Sequence, residues 1–326
     1  MKKELEIWHF AAEKLKQNKP VMLFVVAESA GSSPGREGFK MAIADDDLIG
    51  SIGGGVMEVR LVKQAGFKIQ DSKFEIDSGI VEQIHQINSP HKSGMICSGK
   101  QTVIFFKLNL SHLKIIREII RALENYRPKI LQISNLKFQV AVEPDESDFE
   151  FRFGREGKNN FLFEEKLGFK NKLFIVGGGH CARALSEIAW KIDFYIALFD
   201  DRPNLNTLAK NEFVHEKRIV ESYEKIDDFV TSGKNHFVVV MTLGYRSDEI
   251  VIRKLLDKNF KYFGVLGSRA KMATLLKNLK KEGFDAARLK QIHTPIGLPI
   301  NSRTPEEIAV SIAAEIIAVK NAKENN

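Results

Sequence analysis

Cysteine is scarce: the 326 residues contain two, Cys97 and Cys181. That is too few for a disulfide-stapled scaffold, and the pair is too widely separated for a local zinc motif. Long apolar runs are missing as well. Uninterrupted stretches such as Phe237 to Met241 fall far short of the roughly 20 residues that span a bilayer, so no transmembrane helix and no membrane partner are expected. Glu4 and Glu6 stand where a signal peptide would carry its apolar core, which argues against secretion. A reduced, cytoplasmic setting fits these absences. Repeats and low-complexity tracts are also lacking.

What is present is ordinary globular material, 44% hydrophobic and 28% charged, long enough for two domains. The formal charge of +7 is unevenly placed. Residues 1–165 are balanced, and residues 251–290 carry 11 Lys and Arg against 3 Asp and Glu. These bases are not interleaved with stacking aromatics, so no nucleic-acid partner is expected. They read as a solvated helix face or as a local field for a small anion.

The first half reads as mixed α/β. A helix is expected over Leu5 to Gln17, strands over Val21–Val26, Phe39–Ala44, Leu48–Ile52 and Thr102–Phe106, and a helix from about Val56 to Phe67. Another helix is expected over Ser111–Asn125, with Ser111 as its N-cap. From Glu143 an acidic, Pro- and Gly-containing tract reads as a linker. The second half alternates near-continuous apolar strands (Lys172–Val176, Phe194–Phe199, Phe237–Thr242, Tyr262–Leu266) with helices (Ala182–Lys191, Asp248–Asp257, Lys271–Lys281, Pro305–Val319). That pattern predicts a doubly wound parallel sheet.

The sharpest local signal is Leu173 to Ala182, a strand running into G-x-G-x-x-A at Gly177, Gly179 and Ala182. Such a turn brings a phosphate to backbone N–H groups at a helix start. Asp200 and Asp201 follow the next strand, where an acid can accept from a ribose hydroxyl. His180 is a candidate ligand or acid/base group. Cys181, at the helix start, is either a thiol activated by the dipole or a small buried hydrophobe. A second glycine cluster, Gly53-Gly54-Gly55 with Glu58, and the Gly31-Ser32-Ser33-Pro34-Gly35 loop offer similar turns in the first half. Thr304-Pro305-Glu306-Glu307 reads as a capping box opening a helix.

Together these segments resemble the XdhC/CoxI family of accessory proteins for molybdenum hydroxylases such as xanthine dehydrogenase. The resemblance rests on Gly31-Ser32-Ser33-Pro34, Ile52-Gly53-Gly54-Gly55 with Glu58, and Cys97-Ser98-Gly99 in the first half. In the second half it rests on Gly177-Gly178-Gly179-His180, Phe199-Asp200-Asp201-Arg202-Pro203, Gly264 to Arg269 with Lys271, Pro295-Ile296-Gly297-Leu298, and Thr304 to Ser311. It implies an XdhC-type domain over residues 1–142, a linker over 143–168 and a Rossmann-like domain over 169–326.

The implied activity is that of a carrier more than a catalyst. It would bind molybdenum cofactor (molybdopterin), shelter it while a sulfurating enzyme acts, and pass it to an apo molybdenum hydroxylase; a homodimer is expected. The implied cofactor-binding residues are Cys97, Gly53, Gly54, Gly55, Glu58, Gly177, Gly179, His180, Asp200, Gly267, Ser268 and Arg269, with the Cys97 thiolate a soft ligand for the molybdenum. The chain departs from the family pattern at Ser98, where the family usually has glycine, and at Thr242-Leu243-Gly244-Tyr245, where it usually has histidines. The alternative reading is an NAD(P)- or FAD-dependent oxidoreductase built on the Rossmann turn and Asp200.

Overall fold

The computed structural model describes residues 2–45, 47–55, 58–63, 78–85, 99–127, 129–135, 137–142, 149–156 and 160–322. Contacts divide the chain into two units, Met1–Gly168 and Phe169–Asn326.

The first unit holds two antiparallel sheets. The first is built from β1 (Val21–Gly31), β2 (Lys40–Ala44), β3 (Asp47–Gly50), β4 (Ser78–His85) and β5 (Gly99–Leu108), in the order β3-β2-β1-β5-β4. β1 is apolar over most of its length because both of its faces are covered. Val21, Leu23 and Val25 enter a core shared with the helices Lys2–Lys16 and Leu113–Glu124, while Met22, Phe24 and Val26 pack on the other side with Ile52 and Leu61. Of the helix expected from Val56 to Phe67, residues 58–63 are described and helical.

Ser111 does not cap the Leu113–Glu124 helix. It lies inside a 3-10 turn, Leu110–His112, whose cap is Asn109. The Asn109 carboxamide accepts from Ser111 N at 3.0 Å, while His112 Nδ1 accepts from Asn109 N at 3.1 Å. Asn109 and His112 thus share the capping of this turn, and Asn109 stands two positions before the serine.

The stretch read as a linker, 143–168, contributes two strands instead. With β6 (Lys129–Ser134) and β7 (Phe138–Val142), the strands β8 (Phe151–Glu156) and β9 (Asn160–Leu167) form a second sheet ordered β7-β6-β9-β8. Its charges suggested solvent, yet Glu164 and Glu165 are buried. The Lys40 ammonium, buried on β2, pairs with Glu165 at 2.6 Å and with Glu4 at 3.2 Å. Burial works against that ammonium most strongly, but the two carboxylates outweigh it and raise its pKa. This ion pair ties β9 to β2 and to the first helix.

The second unit is a five-stranded parallel sheet built from β10 (Asn171–Val176), β11 (Phe194–Asp200), β12 (Glu216–Ile219), β13 (Gly233–Val240) and β14 (Phe260–Val265), in the order β12-β11-β10-β13-β14. Alternate residues feed two cores. Leu173, Ile175, Phe237 and Val239 face the helices His180–Lys191 and Pro305–Asn321; Phe174, Val176, Val238 and Val240 face the helices Tyr245–Leu255 and Arg269–Lys281. This is the doubly wound arrangement the sequence predicts. The strands end level: Val176 is in register with Phe199 and Val240, and Val240 with Val265. Four loops therefore leave one edge of the sheet, and the chain order reverses between β10 and β13, where ligands of open α/β sheets bind. Among the described residues no helix is long and apolar enough to cross a membrane.

The buried pair gives the first prediction. Lys40→Met should cost about 3–5 kcal/mol by leaving Glu165 buried without its cation, and adding Glu165→Leu should recover most of it. Urea unfolding of both variants measures this; a neutral single variant contradicts the pairing.

Candidate functional site

The glycine turn after β10 is fixed by its neighbours. Gly177 has φ +107°, and a Cβ there would lie 2.2 Å from the carbonyl oxygen of Met241 on the loop after β13. Only glycine fits this conformation and this approach. The two loops flanking the chain reversal are thus in direct contact. Gly177 N donates to Phe199 O at 2.7 Å and Met241 N to Val176 O at 2.8 Å, extending the ladder to the loops themselves.

Asp200 sits beneath this turn with no solvent exposure. Its carboxylate accepts from Gly178 N at 2.6 Å, from Arg202 N at 2.9 Å, and from Arg202 Nε and Nη2 at 2.8 and 2.7 Å. Burial opposes its charge most strongly, but the Arg202 guanidinium and the two backbone N–H groups outweigh it and hold the carboxyl below its ordinary 3.8. The sequence places this acid where a ribose would meet it. In the structure its oxygens are already occupied by the turn, and the neighbouring Asp201 is the exposed carboxylate. Thr207 completes the brace, donating to Gly178 O at 2.5 Å.

Beyond the turn the helix starts are open. The helix His180–Lys191 has Gly179 as its N-cap and the helix Tyr245–Leu255 has Gly244; neither receives a side-chain cap bond. The later helices of this unit differ: Ser268, Asp285 and Thr304 each cap theirs with a side-chain oxygen. Thr304 and Glu307 form the full capping box expected from the sequence, with Pro305 in the first turn. Two long helices thus leave first-turn N–H groups without a cap on either side of the reversal point. The Gly244 loop is itself braced, since buried Asp248 accepts from Thr242 N at 3.1 Å and Thr242 Oγ1 at 2.6 Å. Thr242 and Asp248 therefore serve the loop whether or not histidines follow them.

The other candidates of this unit are spread along the same edge. His180 is exposed at the first helical position. Gly267, Ser268 and Arg269 follow β14 one strand further out, where Ser268 acts as a cap and Arg269 is exposed. Cys181 is not an activated thiol. Burial first, and the Glu306 carboxylate second, push it above its ordinary value, and its side chain packs against the core. The helix dipole is outweighed there by desolvation.

In the first unit three candidate segments come together. Gly31 on β1 is in register with Gly99 on β5. Gly53, at φ +125°, approaches Gly35 so closely that a Cβ would lie 2.5 Å from its nitrogen. Buried Ser33 donates to Gln101 Oε1 at 2.8 Å, and Gln101 Nε2 donates to Gln83 at 2.7 Å. Glu58 fills the glycine turn from within its own chain, accepting from Ser51 Oγ at 2.7 Å and from Ile52 N and Gly54 N, both at 2.9 Å. It is a wall of the turn, so its carboxylate disfavours an anion there. Gly55 stands at the start of the following helical residues. Cys97, the residue expected to touch molybdenum, lies outside the described residues, as does Ser98. Among the described residues no cluster of three or more His, Cys, Asp or Glu could hold a metal ion.

The parallel sheet, the glycine turn at its reversal point and the two uncapped helix starts define the second unit as a Rossmann-type domain. It matches the XdhC Rossmann domain over residues 173–316, and residues 14–76 match the XdhC and CoxI family. Two separate regions of the chain thus match models of this family. An uncharacterized Escherichia coli protein, YqeB, is 23% identical over 97% of this chain and 47% of its own length. A Bacillus subtilis protein named as a probable xanthine dehydrogenase subunit is 28% identical over 49% of this chain and 46% of its own. The chain thus spans about half the length of the curated relatives it matches. A crystal structure of a xanthine dehydrogenase from Bacillus halodurans shares the fold, with a TM-score of 0.72 and 22% identity over 99% of this chain and 98% of that one.

Two outcomes are expected for the turn. Gly177→Ala should destabilise the protein by about 3 kcal/mol or more, whereas Gly179→Ala, with open space at its Cβ, should cost about 1 kcal/mol or less, as read by denaturant unfolding. Asp200→Asn should cost about 2–3 kcal/mol near neutrality. Because the folded carboxyl is depressed, its contribution is present above 3.8 and fades as pH falls through the lower folded value. The gap between Asp200→Asn and wild type should therefore close in acid; a constant difference in melting temperature from about pH 7 to about pH 2 would contradict this.

Proposed function

We propose that the chain is an accessory protein that holds molybdenum cofactor and hands it to an apo molybdenum hydroxylase of the xanthine dehydrogenase type. The observation that carries the reading is the pair of uncapped helix N-termini, at Gly179 and Gly244, flanking the reversal point of the Rossmann sheet. Molybdopterin bears a terminal phosphate, and its dinucleotide form bears a pyrophosphate; either suits open N–H groups backed by helix dipoles. The two family-model matches and the name of the Bacillus subtilis relative support the client class.

In this reading Gly177, Gly178 and Asp200 build the shape of the turn, while Gly179, His180 and the Gly244 loop meet the phosphate. Arg269 adds positive charge along the same edge. The resemblance assigns Cys97, in the first unit, as a soft thiolate ligand for molybdenum, a role independent of the phosphate assignment. The oxidoreductase alternative loses Asp200 as its ribose acceptor, because that carboxylate is taken by the turn and by Arg202.

A transfer assay tests the proposal. The full chain is incubated with cofactor released from a native hydroxylase, repurified, and mixed with the apoenzyme. Hydroxylase activity should return in proportion to loaded chain, and Cys97→Ala should deliver at least about tenfold less. No cofactor retained, with NADH or flavin bound instead, would replace this reading by the oxidoreductase one.

A further inference from the structure

The excess positive charge of residues 251–290 does not all lie on a solvated helix face. Arg253 is matched by Glu249 and Glu282, and Lys254 by Glu224. Lys277, Lys280 and Lys281 lie along the Arg269–Lys281 helix. Lys258 and Arg288 behave differently. They line a cavity of about 280 Å³ along β14, over residues 260–263, at the opposite end of the strand from Gly267. Lys261, Gln291 and His293 complete its polar wall, and among the described residues no carboxylate lines it.

The two cations are pinned without being neutralised. The Lys258 ammonium donates to Val230 O at 2.7 Å and also to Asp227 O, and Arg288 Nη1 donates to Leu256 O at 3.0 Å. Among the described residues these bonds go to carbonyl oxygens, which fix both heads in place while leaving the formal charges intact. They use two of the three ammonium donors and one of the five guanidinium donors. Two fixed cationic side chains lining one small cavity, with no carboxylate beside them on its described wall, are an arrangement that suits a compact anion. Phe260, Tyr262 and Phe263 give the same cavity an aromatic side. Its volume is near the lower end of the roughly 300–1,000 Å³ typical of ligand pockets, which suits a small solute and excludes a dinucleotide.

We infer that this cavity is a second anion site, binding a phosphate group free or carried on a compact organic body, and separate from the glycine-turn crevice. Calorimetric titration of the full chain at constant ionic strength tests it, with inorganic phosphate and phenyl phosphate as probes. Wild type should bind both probes saturably, with a component of binding that Gly244→Asp leaves in place and that belongs to the cavity. Tighter binding of phenyl phosphate assigns an organic ester as the ligand, and equal binding assigns phosphate itself. Gln291→Glu, on the exposed rim, places a carboxylate at the cavity and should weaken both probes about tenfold or more. Lys277→Gln, an equal change of charge elsewhere on the basic tract, should leave them unchanged. The site is refuted if neither probe saturates, if Gln291→Glu binds as wild type, or if Gly244→Asp abolishes phosphate binding in its place.

Discussion

The second unit depends on one buried carboxylate. Asp200 takes Gly178 N from the turn and two N–H groups of the Arg202 fork, and so closes the glycine turn onto the end of β11. A carboxylate without solvent contact survives only when such donors surround it. Once the turn is held, Gly177 must pass within reach of the Met241 carbonyl, and the loops after β10 and β13 become one wall. Both helices flanking the reversal point then start from glycine, with no side chain to absorb their first N–H groups.

The same device recurs in the first unit with a different result. There Glu58 accepts from Ile52 N and Gly54 N, so the second glycine cluster is filled by its own chain. Both turns were candidate anion cradles, but in the Rossmann unit the neighbouring helix starts remain uncapped. In the proposed reading, what a ligand brings to that crevice is an acceptor, such as a phosphate. A ribose hydroxyl seeking a carboxylate would find Asp200 already taken.

Much of this was legible in the sequence. Continuous apolar strands alternating with helices pointed to the parallel sheet, because strands covered on both faces cannot alternate in polarity. Thr304, Pro305 and Glu307 marked a helix start through local hydrogen-bond chemistry alone. Misreadings arose where a charge meets a partner that spacing does not reveal. Glu165 looked like linker material until Lys40, on another strand, buried it. Asp200 had the spacing of a ribose acceptor, but its partners lie on the turn and at Arg202, two residues on. Cys181 stood at a helix start, yet packing and Glu306 decide its chemistry. The polar edge strand Glu216–Ile219 carries no apolar pattern at all, since its register with β11 supplies the order.

The reading of the crevice is tested most directly by Gly244→Asp, titrated with molybdenum cofactor in the full chain. Gly244 has extended backbone and open space around its Cβ, so aspartate can enter as an N-cap and satisfy the helix N–H groups itself. Thermal stability should hold or rise by a few tenths of a kcal/mol, while cofactor affinity falls about tenfold or more as the new carboxylate displaces the phosphate. Cofactor binding undiminished in a stably folded Gly244→Asp protein would place the phosphate elsewhere and contradict the assignment.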